Sequence, residues 1–64
     1  MHLNKTKIKL LMAKKELSTS ELAERCGITK QRASCILNSV NVAPKTVGRI
    51  AKALEVEPEE IIEE

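Results

Sequence analysis

The segment STSELAERCGITKQRASCILN, residues 18–38, is predicted to form two short helices joined by a sharp turn. In the first helix, Leu22 and Cys26 are four residues apart, the spacing at which side chains share one buried face. Gly27 follows, and glycine readily adopts the left-handed backbone conformation that ends a helix. The chain is therefore expected to turn at Gly27.

A second helix is predicted over residues 29–38. Ile28 fills the turn, and the Thr29 side chain is placed to cap the first turn of this helix. Ala33 and Ile36 form its apolar inner stripe. Two helices joined in this way constitute a helix-turn-helix.

Another helix is predicted before this motif, from its N-cap Asn4 to Glu16. Apolar residues at helical spacing mark its inner face, namely Ile8, Leu11 and Met12. A second, minor stripe is assigned to two residues seven apart, Leu3 and Leu10. Ser18, followed three residues later by Glu21, forms a capping-box pattern that begins the next helix.

Two more helices are predicted after a loop at residues 39–43. Pro44 suits the first turn of a fourth helix, whose inner face carries Val47, Ile50, Ala51 and Leu54. Glu55 then lies where a helix-ending glycine would be favoured. Pro58 opens a short fifth helix, with Glu59 and Glu60 in its first turn and Ile61 and Ile62 packing back on the core. The predicted fold is all-α, a compact five-helix bundle forming a single domain over residues 1–64.

Charge is distributed unevenly along the chain. The net charge is +2, but residues 1–35 contain eight Lys or Arg against three Glu, whereas residues 36–64 contain three against six. A basic front half suits a polyanionic partner on one side of the molecule. The chain contains no Phe, Tyr or Trp on which bases could stack, which disfavours the sheet and barrel modules that bind single-stranded nucleic acids.

Other function classes find little support in the sequence. The chain has no Asp, no phosphate-binding glycine loop and no nucleophile–base pair, so it is expected not to be an enzyme. Two cysteines and His2 are too few ligands for a metal site, and no cofactor or small-molecule ligand is indicated.

The absence of a long apolar run and of a signal-peptide pattern predicts a cytoplasmic protein with no membrane partner. Cys26 is interpreted as a small core residue, while redox control through Cys35 stays an open alternative.

The outward side of the helix at residues 29–38 is polar and cationic. It carries Lys30, Gln31, Ser34, Cys35 and Asn38, with Arg32 on its flank. Cations in the first turn of a helix oppose its dipole, and such departures from local rules often mark function. A helix fits the major groove of DNA, where Gln pairs with adenine and Lys or Arg with guanine.

The chain resembles the lambda Cro/repressor-type (XRE) helix-turn-helix family over essentially its whole length. The matching features are ELAE at residues 21–24, Gly27-Ile28-Thr29, the closing Asn38, and IAKALEV at residues 50–56 followed by a short acidic and then apolar segment. Members bind duplex DNA, usually as homodimers, and most repress or activate transcription. The resemblance therefore implies a sequence-specific transcriptional regulator, first of all a repressor, and allows an origin in a phage or mobile element.

The resemblance also implies roles for individual residues. Positions that most often face base edges hold Lys30, Gln31 and Cys35, and Ser34 on the same outward face is added to this set. Positions at or near DNA phosphates hold Thr29, Arg32 and Asn38, together with Thr19 and Ser20 at the start of the second helix. Lys45 matches a position that reaches phosphate or the minor groove near the operator centre.

Three positions depart from the family pattern. Many relatives carry Arg at the position of Met12 and Glu at that of Leu37, where they form an inward ion pair. Both residues are apolar here, and replacing a buried ion pair with packed hydrophobic side chains is often neutral or stabilising. We expect Met12 to contact Leu37, and both to help fill the space left by the small Ala33. Ser39 replaces the usual Gly after Asn38.

The sequence thus predicts a homodimer on a palindromic or near-palindromic operator, with recognition helices in major grooves about 34 Å apart. Candidate dimer surfaces are Leu3 with Leu10, Ile61 with Ile62, and the corner between the fourth and fifth helices. The alternative from another class is an antitoxin-like or adaptor module that uses the same fold to hold a partner protein.

Overall fold

The computed structural model describes residues 1–39 and 41–63. Four α-helices follow one another along the chain: α1 (Lys5–Lys14), α2 (Thr19–Cys26), α3 (Lys30–Asn38) and α4 (Pro44–Leu54). A single 3-10 turn, Pro58–Glu60, follows α4. The all-helical class is confirmed, but the prediction of five helices is wrong, because the described residues contain four. In the predicted loop at 39–43, Val40 lies outside the described residues.

The fifth predicted helix stops after one turn because the chain beyond it pairs with the N-terminal segment. Ile61 is fully buried, and its carbonyl oxygen accepts a hydrogen bond from the Asn4 backbone N–H at 2.8 Å. Ile62 forms an isolated antiparallel bridge with Leu3. The backbone groups that a longer helix would use are therefore engaged across the molecule.

The helices begin where their capping residues predict. The Asn4 side chain accepts a hydrogen bond from the Lys7 N–H at 3.0 Å, at the start of α1. The Ser18 hydroxyl and the Glu21 carboxylate each accept the other residue's backbone N–H, which completes the capping box of α2. Pro44 occupies the first turn of α4, which has no side-chain cap. Local chemistry thus sets these helix boundaries.

Three of the helices end with one shared motif. The residue at the turn has a left-handed backbone, with φ of 54° at Glu16, 72° at Gly27 and 60° at Glu55. The apolar residue that follows each turn donates its N–H to the carbonyl five positions earlier, in the pairs Leu17–Met12, Ile28–Ala23 and Val56–Ala51. This is the Schellman pattern, in which glycine is the favoured turn residue. Two of the three turns use Glu instead, at a cost of about 1–2 kcal/mol each.

The core lies between the four helices and the paired chain ends. Its most completely buried large side chains come from α1, α2, α4 and the segment after the 3-10 turn, namely Ile8, Leu22, Val47, Leu54 and Ile61. Leu3 is also buried, whereas Leu10 is 65% exposed. The predicted Leu3/Leu10 stripe is therefore wrong: pairing with Ile62 draws Leu3 into the core, while Leu10 faces away from the core on α1. Cys26 is half-buried and packs against the core, as expected.

Met12 and Leu37 lie on either side of the boundary between α1 and α3. Both line a narrow crevice of about 60 Å³ between these helices. Leu37 also lines a second, apolar gap together with Ala33. Met12 is buried and Leu37 half-buried, so apolar side chains occupy the positions of the family's ion pair.

Candidate nucleic-acid interface

The turn between α2 and α3 fixes how α3 leaves the core. Gly27 takes the left-handed conformation, and the Ile28 N–H donates to the Ala23 carbonyl at 3.0 Å. The Thr29 hydroxyl accepts a hydrogen bond from the Arg32 N–H at 3.2 Å, which caps α3 at its first turn. α2 packs against both α3 and α4, so the position of α3 is set by the core rather than by solvent-exposed contacts.

α3 separates its apolar and polar residues between two faces. Ala33 is only 3% exposed, and Ile36 and Leu37 are half-buried against the core. On the other side, four of the residues expected to face DNA are exposed, namely Lys30, Gln31, Cys35 and Asn38, and Ser34 is half-buried. We call this set, residues 30, 31, 34, 35 and 38, the outer face of α3. The predicted orientation of α3 is therefore confirmed.

The start of the outer face is free to make new hydrogen bonds. Within the part of the chain that the structure describes, the side chains of Lys30 and Gln31 have no hydrogen-bond partner. Toward the other end, the Asn38 amide donates to the Ser34 carbonyl at 2.9 Å, and the Ser39 hydroxyl donates to the Cys35 carbonyl at 2.8 Å. The beginning of α3 can therefore reach a ligand, while its last turn is held by its own side chains.

Five of the six predicted phosphate-contacting residues lie at the beginnings of three helices, whereas the sixth, Asn38, is the last residue of α3. Thr19 is half-buried and Ser20 exposed in the first turn of α2, Thr29 and Arg32 are exposed at the start of α3, and Lys45 is exposed in the first turn of α4. Backbone N–H groups at helix starts favour anions. These residues therefore sit where negative charge is best accommodated.

Arg32 shares a crevice with a second arginine, Arg49, which the sequence did not single out. Arg32, Thr46 and Arg49 line one crevice of about 30 Å³ between α3 and α4. Arg49 lies four residues after Lys45, so both lie on one side of α4. That spacing of two basic residues was the signal that could have identified Arg49.

The two cysteines have different surroundings. Burial raises the pKa of the Cys26 thiol, and the nearby Arg49 charge partly offsets this rise. Cys35 is exposed on the outer face of α3, and both cysteines are free.

Across residues 1–39 and 41–63, no group of three or more His, Cys or Glu side chains could hold a metal ion. Within the same residues, no helix is long and apolar enough to cross a membrane.

Comparison with known proteins agrees with this geometry. The family model described as the Cro/C1-type HTH DNA-binding domain matches residues 7–63. The chain belongs to this Cro/C1-type family. The expected XRE resemblance is thus confirmed, and the family is defined by DNA binding rather than by a reaction.

One curated relative of this Cro/C1-type domain comes from Bacillus subtilis (strain 168). It is named an uncharacterized HTH-type transcriptional regulator, YozG, and is 40% identical over 58 residues. The match covers 88% of the present chain and 69% of the relative. No solved structure matches the chain.

Proposed function

We propose that this protein regulates transcription, as a repressor, by binding duplex DNA sequence-specifically with α3 in the major groove. The observation that carries the proposal is the outer face of α3, which is exposed and polar directly opposite the buried Ala33. Membership of a DNA-binding family supports it, as does a relative named as a transcriptional regulator.

We assign recognition of the DNA sequence to the outer face of α3. Lys30 is suited to guanine O6 and N7, and Gln31 to the N6 and N7 atoms of adenine. Ser34 and Cys35 lie one turn further along α3 and complete the base-contacting set. These residues face solvent wholly or in part, so they can approach base edges without rearrangement of the core.

We assign the positioning of the protein on the duplex to contacts with DNA phosphates, which carry no sequence information themselves. The residues proposed to make them are Thr19, Ser20, Thr29, Arg32, Asn38 and Lys45. Arg49 joins this group because it lines the same crevice as Arg32. All of them are exposed except Thr19, which is half-buried in the first turn of α2.

A homodimer is the proposed assembly, and the dimensions of the chain support it. The chain measures 26 × 22 × 17 Å along its principal axes, whereas successive major grooves on one side of DNA lie about 34 Å apart. Two copies are therefore needed to place a recognition helix in each groove. Leu3 and Ile61 are buried in the protomer's own core and are unavailable as a dimer surface, which leaves the exposed Leu10, the half-buried Ile62 and the corner between α4 and the 3-10 turn.

Selection of bound sites from random duplexes tests the proposal. We expect enrichment of a palindromic or near-palindromic site with two half-sites about ten base pairs apart. A template with this site across its promoter should give less transcript when the protein is added, and more transcript would contradict repression. Failure to enrich any duplex would contradict DNA binding, and retention of a partner protein instead would support the adaptor alternative.

A further inference from the structure

The first half of α1 lies against the C-terminal end of α3. The Lys5 ammonium donates a hydrogen bond to the Asn38 carbonyl at 3.4 Å. Lys5 and Lys9 both line the crevice between the two helices, whose apolar wall is formed by Ile8, Met12 and Leu37. Two cations of α1 are thereby placed beside the last turn of the helix that is proposed to enter the groove.

These lysines change the charge at that end of α3. The last turn of α3 contains no basic residue, and the carbonyl groups at a helix end repel anions. No carboxylate lines the crevice with Lys5 and Lys9. Lys5 compensates the helix end, whereas the Lys9 ammonium has no hydrogen-bond partner among the described residues. Glu63 lines the adjoining cavity on the other side of Lys5, so the charge is positive within the crevice itself, where Lys9 is the cation free for a ligand.

The length of α3 suits contacts at both of its ends. Its nine residues span about 13 Å, and the major groove is about 12 Å wide. Arg32 is at one end of α3, and Lys5 with Lys9 are at the other. A helix seated in the groove would then bring a cationic group near the backbone on each side.

We infer that Lys5 and Lys9 form a second phosphate-binding site, which holds the DNA backbone beside the C-terminal end of α3. This inference rests on the proposed function. It extends the DNA-contacting surface from α2, α3 and α4 to α1, and it assigns Lys5 and Lys9 to affinity rather than to sequence choice.

The salt dependence of binding tests this site, because each phosphate contact contributes about 0.9 to the slope of log affinity against log salt. Lys9→Ala should reduce the slope by about 0.9 and weaken binding about eightfold at 0.1 M salt, equally on the selected site and on random duplex. Lys5→Ala should act in the same direction. Lys7→Ala is the matched control, since Lys7 lies roughly 200° around α1 from Lys5 and does not line the crevice.

Several results would overturn the site. An unchanged slope for Lys9→Ala would do so, as would equal slope changes for Lys7→Ala and Lys9→Ala, which would indicate only total charge. Because Lys5→Ala also removes a hydrogen bond to α3, thermal unfolding is measured in parallel, and Lys5→Arg and Lys9→Arg should restore the slope. If wild-type protein binds no duplex, the proposed function fails with the site. Normal wild-type binding with an unaffected Lys9→Ala variant refutes the site alone.

Neutral methylphosphonate groups locate the contact on the selected duplex. At the phosphate that Lys9 contacts, this substitution should weaken wild-type binding and leave Lys9→Ala unaffected. Equal losses for both proteins at every backbone position would contradict a direct contact.

Discussion

Ser18 and Glu21 exchange hydrogen bonds at the start of α2: the Ser18 hydroxyl accepts from the Glu21 N–H at 3.2 Å, and the Glu21 carboxylate accepts from the Ser18 N–H at 3.0 Å. The Ser18 backbone N–H, which donates to the Glu21 carboxylate, is the main cause that lowers the pKa of this carboxyl from its ordinary 4.5, and the adjacent Ser18 hydroxyl lowers it further. The hydrogen bond and charge of Lys15, at 3.0 Å, likewise lower the pKa of Glu55.

These two carboxyl groups predict a loss of stability in acid. A carboxyl pKa that is lower in the folded state favours folding above the ordinary value of 4.5, and the gain is lost as the pH falls through the folded value. We expect the urea midpoint to decrease below about pH 4.5. Glu21→Gln should make this decrease shallower, because it removes one of the two carboxyl groups whose pKa is lowered. A wild-type midpoint that is constant from pH 6 to pH 3 would contradict the prediction.

Glycine at Glu16 should stabilise the protein. Glu16 has φ of 54°, a conformation that disfavours side chains with a Cβ. After allowing for the extra freedom of glycine in the unfolded chain, we expect Glu16→Gly to raise the free energy of unfolding by about 0.5–1 kcal/mol in urea titration. Glu24→Gly, inside α2, should lower it by about 1 kcal/mol. Glu55→Gly should gain less than Glu16→Gly, because it removes the ion pair with Lys15. A loss of stability in Glu16→Gly would refute this explanation.

The apolar pair of Met12 and Leu37 predicts a strong response to single charges. Met12 is only 9% exposed, so Met12→Arg buries a cation without a partner and should destabilise the fold by about 3 kcal/mol. Adding Leu37→Glu should recover much of that loss through an ion pair across the crevice. Chemical unfolding of the two single variants and the double variant measures the coupling. Additive losses would show that residues 12 and 37 do not interact.

Gln31 and Arg32 are adjacent but are expected to act differently. Gln31→Ala should weaken binding to the selected site by about 1–3 kcal/mol and leave binding to random duplex unchanged. Arg32→Ala should weaken binding to both duplexes by the same factor and reduce the salt slope by about 0.9. Lys14→Ala is the control for the loss of one positive charge outside the DNA-contacting surface. Lys14 lies at the far end of α1, about 13 Å from Lys5 and the phosphate-binding site inferred there. Identical effects of Gln31→Ala and Arg32→Ala on the two duplexes would contradict this division.

Much of the fold could be predicted because its signals are local. Asn4, the Ser18/Glu21 pair and Thr29 cap helices within three residues of themselves, and Gly27 turns the chain as glycine is expected to. The orientation of α3 follows from Ala33 and its spacing to Ile36. Short-range hydrogen bonds and helical periodicity therefore give three helix starts, one turn and one buried face.

Other features depend on residues far apart in the chain. The Leu3–Ile62 bridge shortens the fifth predicted helix and buries Leu3, and no local pattern indicates that pairing. Glu16 has a left-handed backbone conformation, but nothing in the sequence around it distinguishes it from an ordinary exposed glutamate. In the candidate site, the outer face of α3 was predictable, but the hydrogen bond from Lys5 to Asn38 and the placement of Arg32 and Arg49 in one crevice depend on the packing of whole helices.

Contact between the outer face of α3 and bases in the major groove can be measured on the selected site with 7-deazapurines in its half-sites. This change removes the N7 acceptors of the major groove and keeps base pairing intact. We expect the affinity of the wild-type protein to fall toward its value for random duplex, and Gln31→Ala to lose little more affinity on the modified site. Undiminished wild-type affinity for the modified site would show that α3 does not contact these bases.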